Sequence, residues 1–222
     1  MKNKIIISLD CDWNIAMDVV NETKDLDCVY GYKIGFRIGL LCGLLSSVDA
    51  IKLAAPTKKI IYDHQKAGND IPEMGKHFAR VMKKSNVDHA ILFPFVGSVS
   101  LKSWVQEVQK EGIDVIVGGR MTHTGFTRMI STLESTNICC QAAKLGVKKF
   151  VLPPDDKSYY NIICEDIARY CDDPIFLSPG FGAQGCYIND YTDTPIIGRS
   201  IIHSKNIKAE TLDWHNKLFS KY

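Results

Sequence analysis

Short apolar runs alternate with longer stretches of helical periodicity along almost the whole chain. Eight runs are rich in β-branched or aromatic residues, which predicts buried strands. They cover residues 4–10, 28–35, 58–63, 89–93, 113–117, 149–152, 175–178 and 194–197. Between them, apolar positions at helical spacing predict helices over residues 13–20, 36–45, 72–84, 98–111, 130–145 and 158–170, and a last helix follows the eighth strand.

This alternation predicts a parallel sheet, because a helix between two strands allows the chain to return in the same direction. Eight strand–helix units favour a closed (β/α)₈ barrel that takes up residues 1–222 as a single domain. A doubly wound open sheet is the alternative. No Gly-x-Gly-x-x-Gly motif follows the first strand, so a dinucleotide-binding fold has no direct support.

Composition excludes several classes of function. The 222 residues are 45% hydrophobic and 23% charged, with a net charge of +2, which gives no electrostatic argument for binding nucleic acid or a membrane surface. No apolar run approaches the length of a membrane span, and the first residues are unlike a signal peptide, so we expect a cytoplasmic protein. The eight cysteines contain no Cys-x-x-Cys pair and are predicted to be reduced thiols rather than zinc ligands or disulfides.

The end of the third strand concentrates charge. The strand runs into Asp63, His64, Lys66 and Asp70, and Pro72 suits the first turn of the following helix. A solvated run of charges would explain such a cluster. Two carboxylates, an imidazole and an ammonium beside a buried strand favour a functional site instead.

Other strand ends carry polar residues too. In a barrel the functional groups lie at the C-terminal ends of the strands, where all of these residues would meet. They are Asp10, Lys33, Thr122 with His123, Gln184, and Arg199. The glycine-rich loop after the seventh strand and Gly198-Arg199 after the eighth are candidates for binding phosphate, and a guanidinium can bind phosphate through two hydrogen bonds.

Several of these segments together resemble one family. They are Leu-Ser-Pro-Gly-Phe-Gly-Ala-Gln-Gly at residues 177–185, Ile-Ile-Gly-Arg-Ser-Ile at 196–201, Ser-Leu-Asp at 8–10, Lys-Ile-Gly at 33–35, the Asp63, Lys66 and Asp70-Ile71-Pro72 segment, and Met-Thr-His at 121–123. In this order they resemble the orotidine 5′-monophosphate decarboxylases over nearly the whole chain. The resemblance implies a (β/α)₈ barrel, a homodimer with active sites at the subunit interface, and no cofactor or metal.

The resemblance also implies a role for each residue. Asp10 and Lys33 would hold ribose hydroxyls, Asp63 would lie beside the substrate carboxylate, and Lys66 would donate the proton to C6. Asp70 would reach the ribose of the partner subunit's substrate, with Ile71 beside it. Thr122 would contact the pyrimidine and Pro179 would shape its pocket, while Gln184, Gly198 and Arg199 would bind phosphate.

The third-strand motif departs from the family pattern. The family spaces it Asp-x-Lys-x-x-Asp, whereas Asp63, Lys66 and Asp70 are one residue further apart in each gap. Residues three apart on a strand do not share a face, so Asp63 and Lys66 converge only if the strand ends or bulges between them. His64 is the rival of Asp63 for the first acidic position. We favour Asp63, because a carboxylate can alternate with two lysines.

Two other functions stay open. Magnesium-dependent sugar-phosphate decarboxylases and hexulose-phosphate synthases belong to the same superfamily of barrels, although the loop at residues 179–185 speaks against them. A barrel that binds nucleotide phosphates without turnover is the non-enzymatic alternative, and the lengthened motif would permit it.

Overall fold

Eight parallel strands close into a barrel in chain order. The computed structural model describes residues 1–64, 67–121, 123, 125–154, 156–181 and 192–219. The strands are β1 (Ile5–Ser8), β2 (Val29–Gly35), β3 (Lys59–Asp63), β4 (His89–Leu92), β5 (Asp114–Gly118), β6 (Lys149–Val151), β7 (Ile175–Pro179) and β8 (Thr194–Ile197). Because β1 pairs with β8 as well as with β2, the sheet is closed. The predicted (β/α)₈ barrel is therefore confirmed, and the open-sheet alternative is wrong.

Helices follow most of the strands. They are α1 (Trp13–Thr23), α2 (Phe36–Ile38), α3 (Leu44–Ala54), α4 (Met74–Lys84), α5 (Ser98–Lys110), α6 (Phe126–Met129), α7 (Thr132–Lys144), α8 (Lys157–Ala168), α9 (Arg199–Ile202) and α10 (Ile207–Phe219). None of the helices within these described ranges is long and apolar enough to cross a bilayer.

Two helices differ from their predicted bounds. The helix expected over residues 36–45 is the short α2 followed by a π-helix, Gly39–Gly43, before α3 begins. Gly43 has φ +80°, which a residue with a side chain rarely adopts. The helix expected from residue 130 begins at Thr132 instead, because the Ser131 side chain accepts a hydrogen bond from the Glu134 amide.

Apolar side chains fill the inside of the barrel. Every second residue of a strand points inward, so Ile6 lies in the barrel while Ile5 and Ile7 pack against the helices. The inner layer consists of Ile6, Ile61, Ile91, Phe93, Ile116, Val151, Leu177 and Ile196. A Cβ at Gly118 would lie 2.1 Å from the ring of Phe93, so a larger residue at this strand position would force that ring to move. This closed core leaves room for ligands only at the ends of the barrel.

The cysteines are thiols throughout the part of the chain that the structure describes. Four are buried (Cys11, Cys139, Cys140 and Cys171), two are half-buried (Cys28 and Cys164), and Cys42 is exposed on the π-helix. Burial raises the pKa of the Cys11 thiol to about 11. This thiol, near the mouth of the barrel, is therefore neutral at physiological pH and a weak nucleophile.

A buried histidine at the N-terminal end of β4 is expected to make the fold sensitive to acid. His89 is 2% exposed, and its Nε2 shares a hydrogen bond of 2.7 Å with the Tyr30 hydroxyl. Burial lowers the pKa of His89 from 6.5 to about 4, although Asp114 Oδ2, 3.4 Å from Nδ1, opposes the shift. The unfolded chain therefore binds a proton at higher pH than the folded protein does. Stability is complete above pH 6.5 and falls as the pH drops toward 4.

We expect the free energy of unfolding to be about 2 kcal/mol lower at pH 5 than at pH 7.5 on account of this group. Urea titrations at both pH values would measure it. The His89→Gln variant should lose this part of the pH dependence, whereas His77→Gln, at an exposed position of α4, should keep it. An equal pH dependence in wild type and His89→Gln would contradict the assignment.

Candidate active site

A cavity of about 450 Å³ opens at the C-terminal ends of the strands. The residues that line it are Ser8, Asp10, Lys33, Asp63, Ile91, Phe93, Arg120, Met121, His123, Val151, Pro153, Pro179, Gly180, Phe181, Ile196, Gly198, Arg199 and Ile202. Residues from strands at opposite sides of the barrel thus share one space. Among the predicted site residues, the cavity contains Asp10, Lys33, Asp63, Pro179, Gly198 and Arg199.

Three charged residues from β1, β2 and β3 form one cluster in this cavity. The Lys33 ammonium lies 2.9 Å from Asp63 Oδ2 and 3.4 Å from Asp10 Oδ2. The Ser8 hydroxyl donates a hydrogen bond of 2.6 Å to Asp10 Oδ2. Neighbouring strands hold these groups at one level, because Ser8 pairs with Lys33 and Gly35 pairs with Asp63 in the sheet register. Lys33 and Asp63 of the cluster thus belong to the barrel wall, and Asp10 follows the end of β1.

The cluster keeps Lys33 charged although its side chain is buried. Burial by itself disfavours the ammonium, but Asp63 and then Asp10 outweigh it, so the pKa of Lys33 is raised above its ordinary value of 10.5. Gly35 leaves room for the Asp10 carboxylate, since a Cβ there would lie 3.2 Å from Asp10 Oδ1. At neutral pH the site thus presents a fixed positive charge between two carboxylates.

The strand alternation separates Asp63 from its rival His64. Asp63 is 8% exposed and faces the cavity, two residues after the inward-facing Ile61. His64 points to the other side, where its Nδ1 lies 2.8 Å from the Tyr62 hydroxyl and its ring approaches Phe36. The carboxylate of Asp63 therefore lies beside Lys33, and its role in the lengthened motif stays a prediction. β3 ends at Asp63, and Gly68 with φ +93° turns the chain shortly afterwards.

The β7 and β8 ends form the part of the cavity wall that adjoins β1. Pro179 is the last residue of β7, and Gly180, with φ +98°, follows it. Gly198 lies against β1, where a Cβ would be 3.3 Å from the Ser8 Cβ. Arg199 begins the four-residue helix α9, and the long last helix, α10, starts only at Ile207. The short α9 thus lies between Gly198 and the long last helix that was expected after the eighth strand.

Asp70 and Ile71 do not line the cavity of their own chain. The Asp70 carboxylate is exposed and accepts a hydrogen bond of 2.7 Å from the Ile71 amide, and the Ile71 side chain is 59% exposed. α5 holds this segment, because the Ser100 hydroxyl donates to the Asp70 carbonyl and the Trp104 indole donates to the Ile71 carbonyl. Both side chains thus project away from the Lys33 cluster on an anchored backbone.

Comparisons with known proteins agree on one family. Orotidine 5′-phosphate decarboxylase from Methanocaldococcus jannaschii is 30% identical over 223 aligned positions, which cover 97% of this chain and 98% of the relative. The enzyme of the same name from Pyrococcus abyssi is 30% identical and covers 96% of this chain and 98% of its own. The chain belongs to the orotidine 5′-phosphate decarboxylase family. It is therefore a member of a family of carboxy-lyases.

Solved structures place the barrel in the same family. The structure of orotidine 5′-monophosphate decarboxylase from M. jannaschii, complexed with inhibitor BMP, is 29% identical and has a TM-score of 0.85. It covers 99% of this chain and 100% of its own. No family model matches the sequence, so the assignment rests on these full-length relatives.

Three residues that the decarboxylase resemblance singles out lie outside the described residues. They are Lys66, Thr122 and Gln184. Ala67 is buried next to Lys66, and Met121 and His123, on either side of Thr122, both line the cavity. The roles of these three residues stay predictions from the family pattern.

The structure adds a residue that the sequence reasoning missed. Arg120 is 8% exposed and lines the cavity of this decarboxylase fold at the end of β5, with its guanidinium carbon 4.5 Å from the centre of the Tyr159 ring. A signal was available, because Arg120 follows Ile116 and Gly118 at every second position and so belongs to the inward face. Two glycines precede Arg120 and Met-Thr-His follows it, so the periodicity was not recognised in the sequence.

Proposed function

We propose that the protein converts orotidine 5′-monophosphate to uridine 5′-monophosphate (UMP) in de novo pyrimidine synthesis. The observation that carries the proposal is the Asp10–Lys33–Asp63 cluster, which shares one cavity with Gly198 and Arg199. A charged cluster on one side and a phosphate-binding pair on the other suit a substrate with a reactive carboxylate and a phosphate tail. The names of the relatives support the same reaction.

The chemical problem is to stabilise the carbon that loses CO₂. Cleavage of the C6 carboxylate leaves an electron pair on a ring carbon that can delocalise it only poorly. The Lys66 ammonium, held close to C6, would stabilise this charge and then protonate the carbon. Asp63 would lie beside the departing carboxylate, and the Lys33 ammonium, 2.9 Å from Asp63 Oδ2, would hold it in place.

One lysine cannot account for the whole rate enhancement. The largest enzymatic reductions in activation free energy are roughly 20 kcal/mol, well above the contribution of a single acid. Contacts with the phosphate and ribose would supply much of the rest by orienting the pyrimidine against the charged cluster. Gln184, Gly198 and Arg199 would bind the phosphate, and Asp10 and Lys33 the ribose hydroxyls. Thr122 and Pro179 would contact the base.

The test is a spectrophotometric assay of orotidine 5′-monophosphate in the presence of a metal chelator. We expect loss of the substrate absorbance and release of one CO₂ per UMP formed. Activity that a chelator abolishes and Mg²⁺ restores would favour the sugar-phosphate decarboxylase or hexulose-phosphate synthase alternative, which the names of the relatives do not favour. UMP binding without CO₂ release would favour a barrel that only binds nucleotides.

Arg199→Met is expected to weaken the binding of UMP by about 10- to 100-fold, because a charge-assisted pair with phosphate is lost. Uridine, which lacks the phosphate, should bind equally to the variant and the wild type. Isothermal titration with both ligands measures the difference. Arg128→Met, on exposed α6, serves as the matched control. Equal losses for nucleotide and nucleoside would remove Arg199 from the phosphate site.

We also propose a homodimer in which each subunit completes the site of the other. Several apolar side chains that follow the ends of β2, β3 and β4 are exposed. Soluble monomers rarely expose large apolar patches, so such residues favour an interface. They include Phe36, Leu40, Leu41, Ile71, Val96 and Val99. Asp70 lies in the same region and is directed away from its own cavity. Pairing of two such surfaces would bring Asp70 to the ribose of the neighbouring substrate.

Subunit mixing tests this arrangement. We expect Asp70→Ala and Lys66→Ala variants to be nearly inactive alone and to recover part of the wild-type activity when mixed. A mixed dimer holds one site with both residues intact, so up to about half of its sites would work. The measurement is activity after co-expression with two different purification tags. A purified mixed dimer without activity would favour self-contained sites.

The proposal also covers the domain organisation, the location and the cofactors of the protein. Residues 1–222 would act as one domain in the cytoplasm. The reaction would need no cofactor or metal, because protonation by Lys66 and the charged cluster supply its chemistry.

A further inference from the structure

The lengthened segment that follows β3 is fastened to the end of the neighbouring strand β4. The Phe93 amide donates a hydrogen bond of 2.8 Å to the Ala67 carbonyl. Two residues further along, the Phe95 amide donates a hydrogen bond of 2.8 Å to the side-chain oxygen Oδ1 of Asn69. The chain after β3 thus lies alongside the chain after β4 and is held to it at two points.

Gly68 brings the two chains into direct contact between these hydrogen bonds. It has φ +93°, and a Cβ there would lie 3.2 Å from the Cα of Pro94. The loop after β4 is itself well packed, because the Phe95 ring contacts the rings of Phe93 and Phe126, with ring centres 5.7 and 5.5 Å away. The lengthened segment is therefore attached to a fixed support.

The attached residues separate two residues of the proposed mechanism. Residues 67–69 fill the second gap of the motif, with Lys66 before them and Asp70 after them. This gap is one residue longer than in the family pattern. Side chains on a loop keep a precise position only where surrounding contacts fix the loop. The first of the two hydrogen bonds joins backbone groups, which every residue but proline can supply, whereas the second depends on the side chain of Asn69.

We propose that Asn69 is a positioning residue, which holds the lengthened segment on the Phe95 amide so that Lys66 and Asp70 keep their places in the active site. Asn69 is not among the described residues that line the cavity, so it acts through its neighbours in the segment. A displacement of about 1 Å at a reacting group can lower the rate about 100-fold. The inference rests on the proposed function, because it assumes the roles of Lys66 and Asp70.

The experiment compares Asn69→Leu and Asn69→Asp with wild type. Leucine has nearly the shape of asparagine but no acceptor, whereas aspartate keeps an oxygen for the Phe95 amide. We expect kcat for orotidine 5′-monophosphate to fall about 10- to 100-fold in Asn69→Leu and to stay within about threefold of wild type in Asn69→Asp. The affinity for UMP, measured by isothermal titration, should change less than about threefold in both, because other residues bind the phosphate and ribose.

Asn206→Leu is the matched control. Asn206 Oδ1 accepts a hydrogen bond of 3.0 Å from the Ala209 amide at the start of α10, and Asn206 is not among the described residues that line the cavity. The variant therefore loses a bond of the same type at another place. We expect thermal unfolding to show a lower melting temperature for Asn206→Leu and for Asn69→Leu, and a lower kcat for Asn69→Leu alone.

Each outcome bears on the inference. A wild-type kcat in Asn69→Leu, or equal losses in Asn69→Leu and Asn69→Asp, would overturn the positioning role while the activity of wild type and control upheld the proposed function. A wild type that releases no CO₂ would contradict the proposed function and this inference with it. If Asn69→Leu does not fold, Asn69→Ala, which also lacks the acceptor, replaces it in the same comparison.

Discussion

Replacement of Lys66 with alanine is expected to lower kcat for orotidine 5′-monophosphate by at least about 10⁴-fold. In the proposed mechanism the alanine removes both the positive charge that would stabilise the C6 carbanion and the proton that would quench it. General acid catalysis contributes about 10²- to 10⁴-fold, and a preorganised electrostatic contact contributes about 10²- to 10³-fold, so the combined loss exceeds either alone. Single-turnover measurements of CO₂ release would quantify it.

Binding separates this effect from a damaged fold. In the proposed mechanism other residues bind the phosphate and ribose, so we expect the affinity of Lys66→Ala for UMP to change by less than about tenfold. Lys76→Ala, at an exposed position of α4, is the matched control and should keep full activity. A Lys66→Ala variant that retains near-normal turnover would refute the role of this residue and, with it, the proposed mechanism.

Replacement of Asp63 with asparagine should affect both stability and turnover. Asparagine has the same shape, but it leaves the buried Lys33 ammonium with Asp10 as its remaining carboxylate contact in the cluster. Breaking one side of a buried ion pair costs about 3 kcal/mol in the free energy of unfolding. We expect kcat to fall about 10²- to 10³-fold, because the carboxylate that organises the charged groups is lost. Urea unfolding and steady-state kinetics measure the two effects.

His64→Asn is the informative comparison for this variant. The His64 ring pairs with Tyr62 outside the cavity, so its loss should change kcat far less than Asp63→Asn does. The reverse order of effects would mean that the imidazole, and not the carboxylate, fills the first position of the lengthened motif. This comparison tests directly the choice that the unusual spacing of Asp63, Lys66 and Asp70 left open.

The sequence by itself favoured the barrel, and it predicted that the functional groups meet at the C-terminal ends of the strands. Eight apolar runs separated by helical patterns allow few other folds, because each buried strand has to be covered by the helix that follows it. Since parallel strands all end at one side, residues as distant as Asp10, Lys33, Asp63 and Arg199 were expected in one place. The family motifs occur along the chain in the same order as the strands that they follow.

Only the tertiary structure decided how individual side chains are directed. Whether Asp63 or His64 faces Lys33 depends on where β3 ends and on its register with β2, and a shift of one residue would exchange them. Arg120 became a candidate site residue because it lines the cavity and is buried against Tyr159 of α8. Asp70 is likewise directed away from its own cavity through contacts of its backbone with α5. These contacts join elements that are far apart in the chain, so the local pattern of residues could not reveal which partners the side chains and backbone would have.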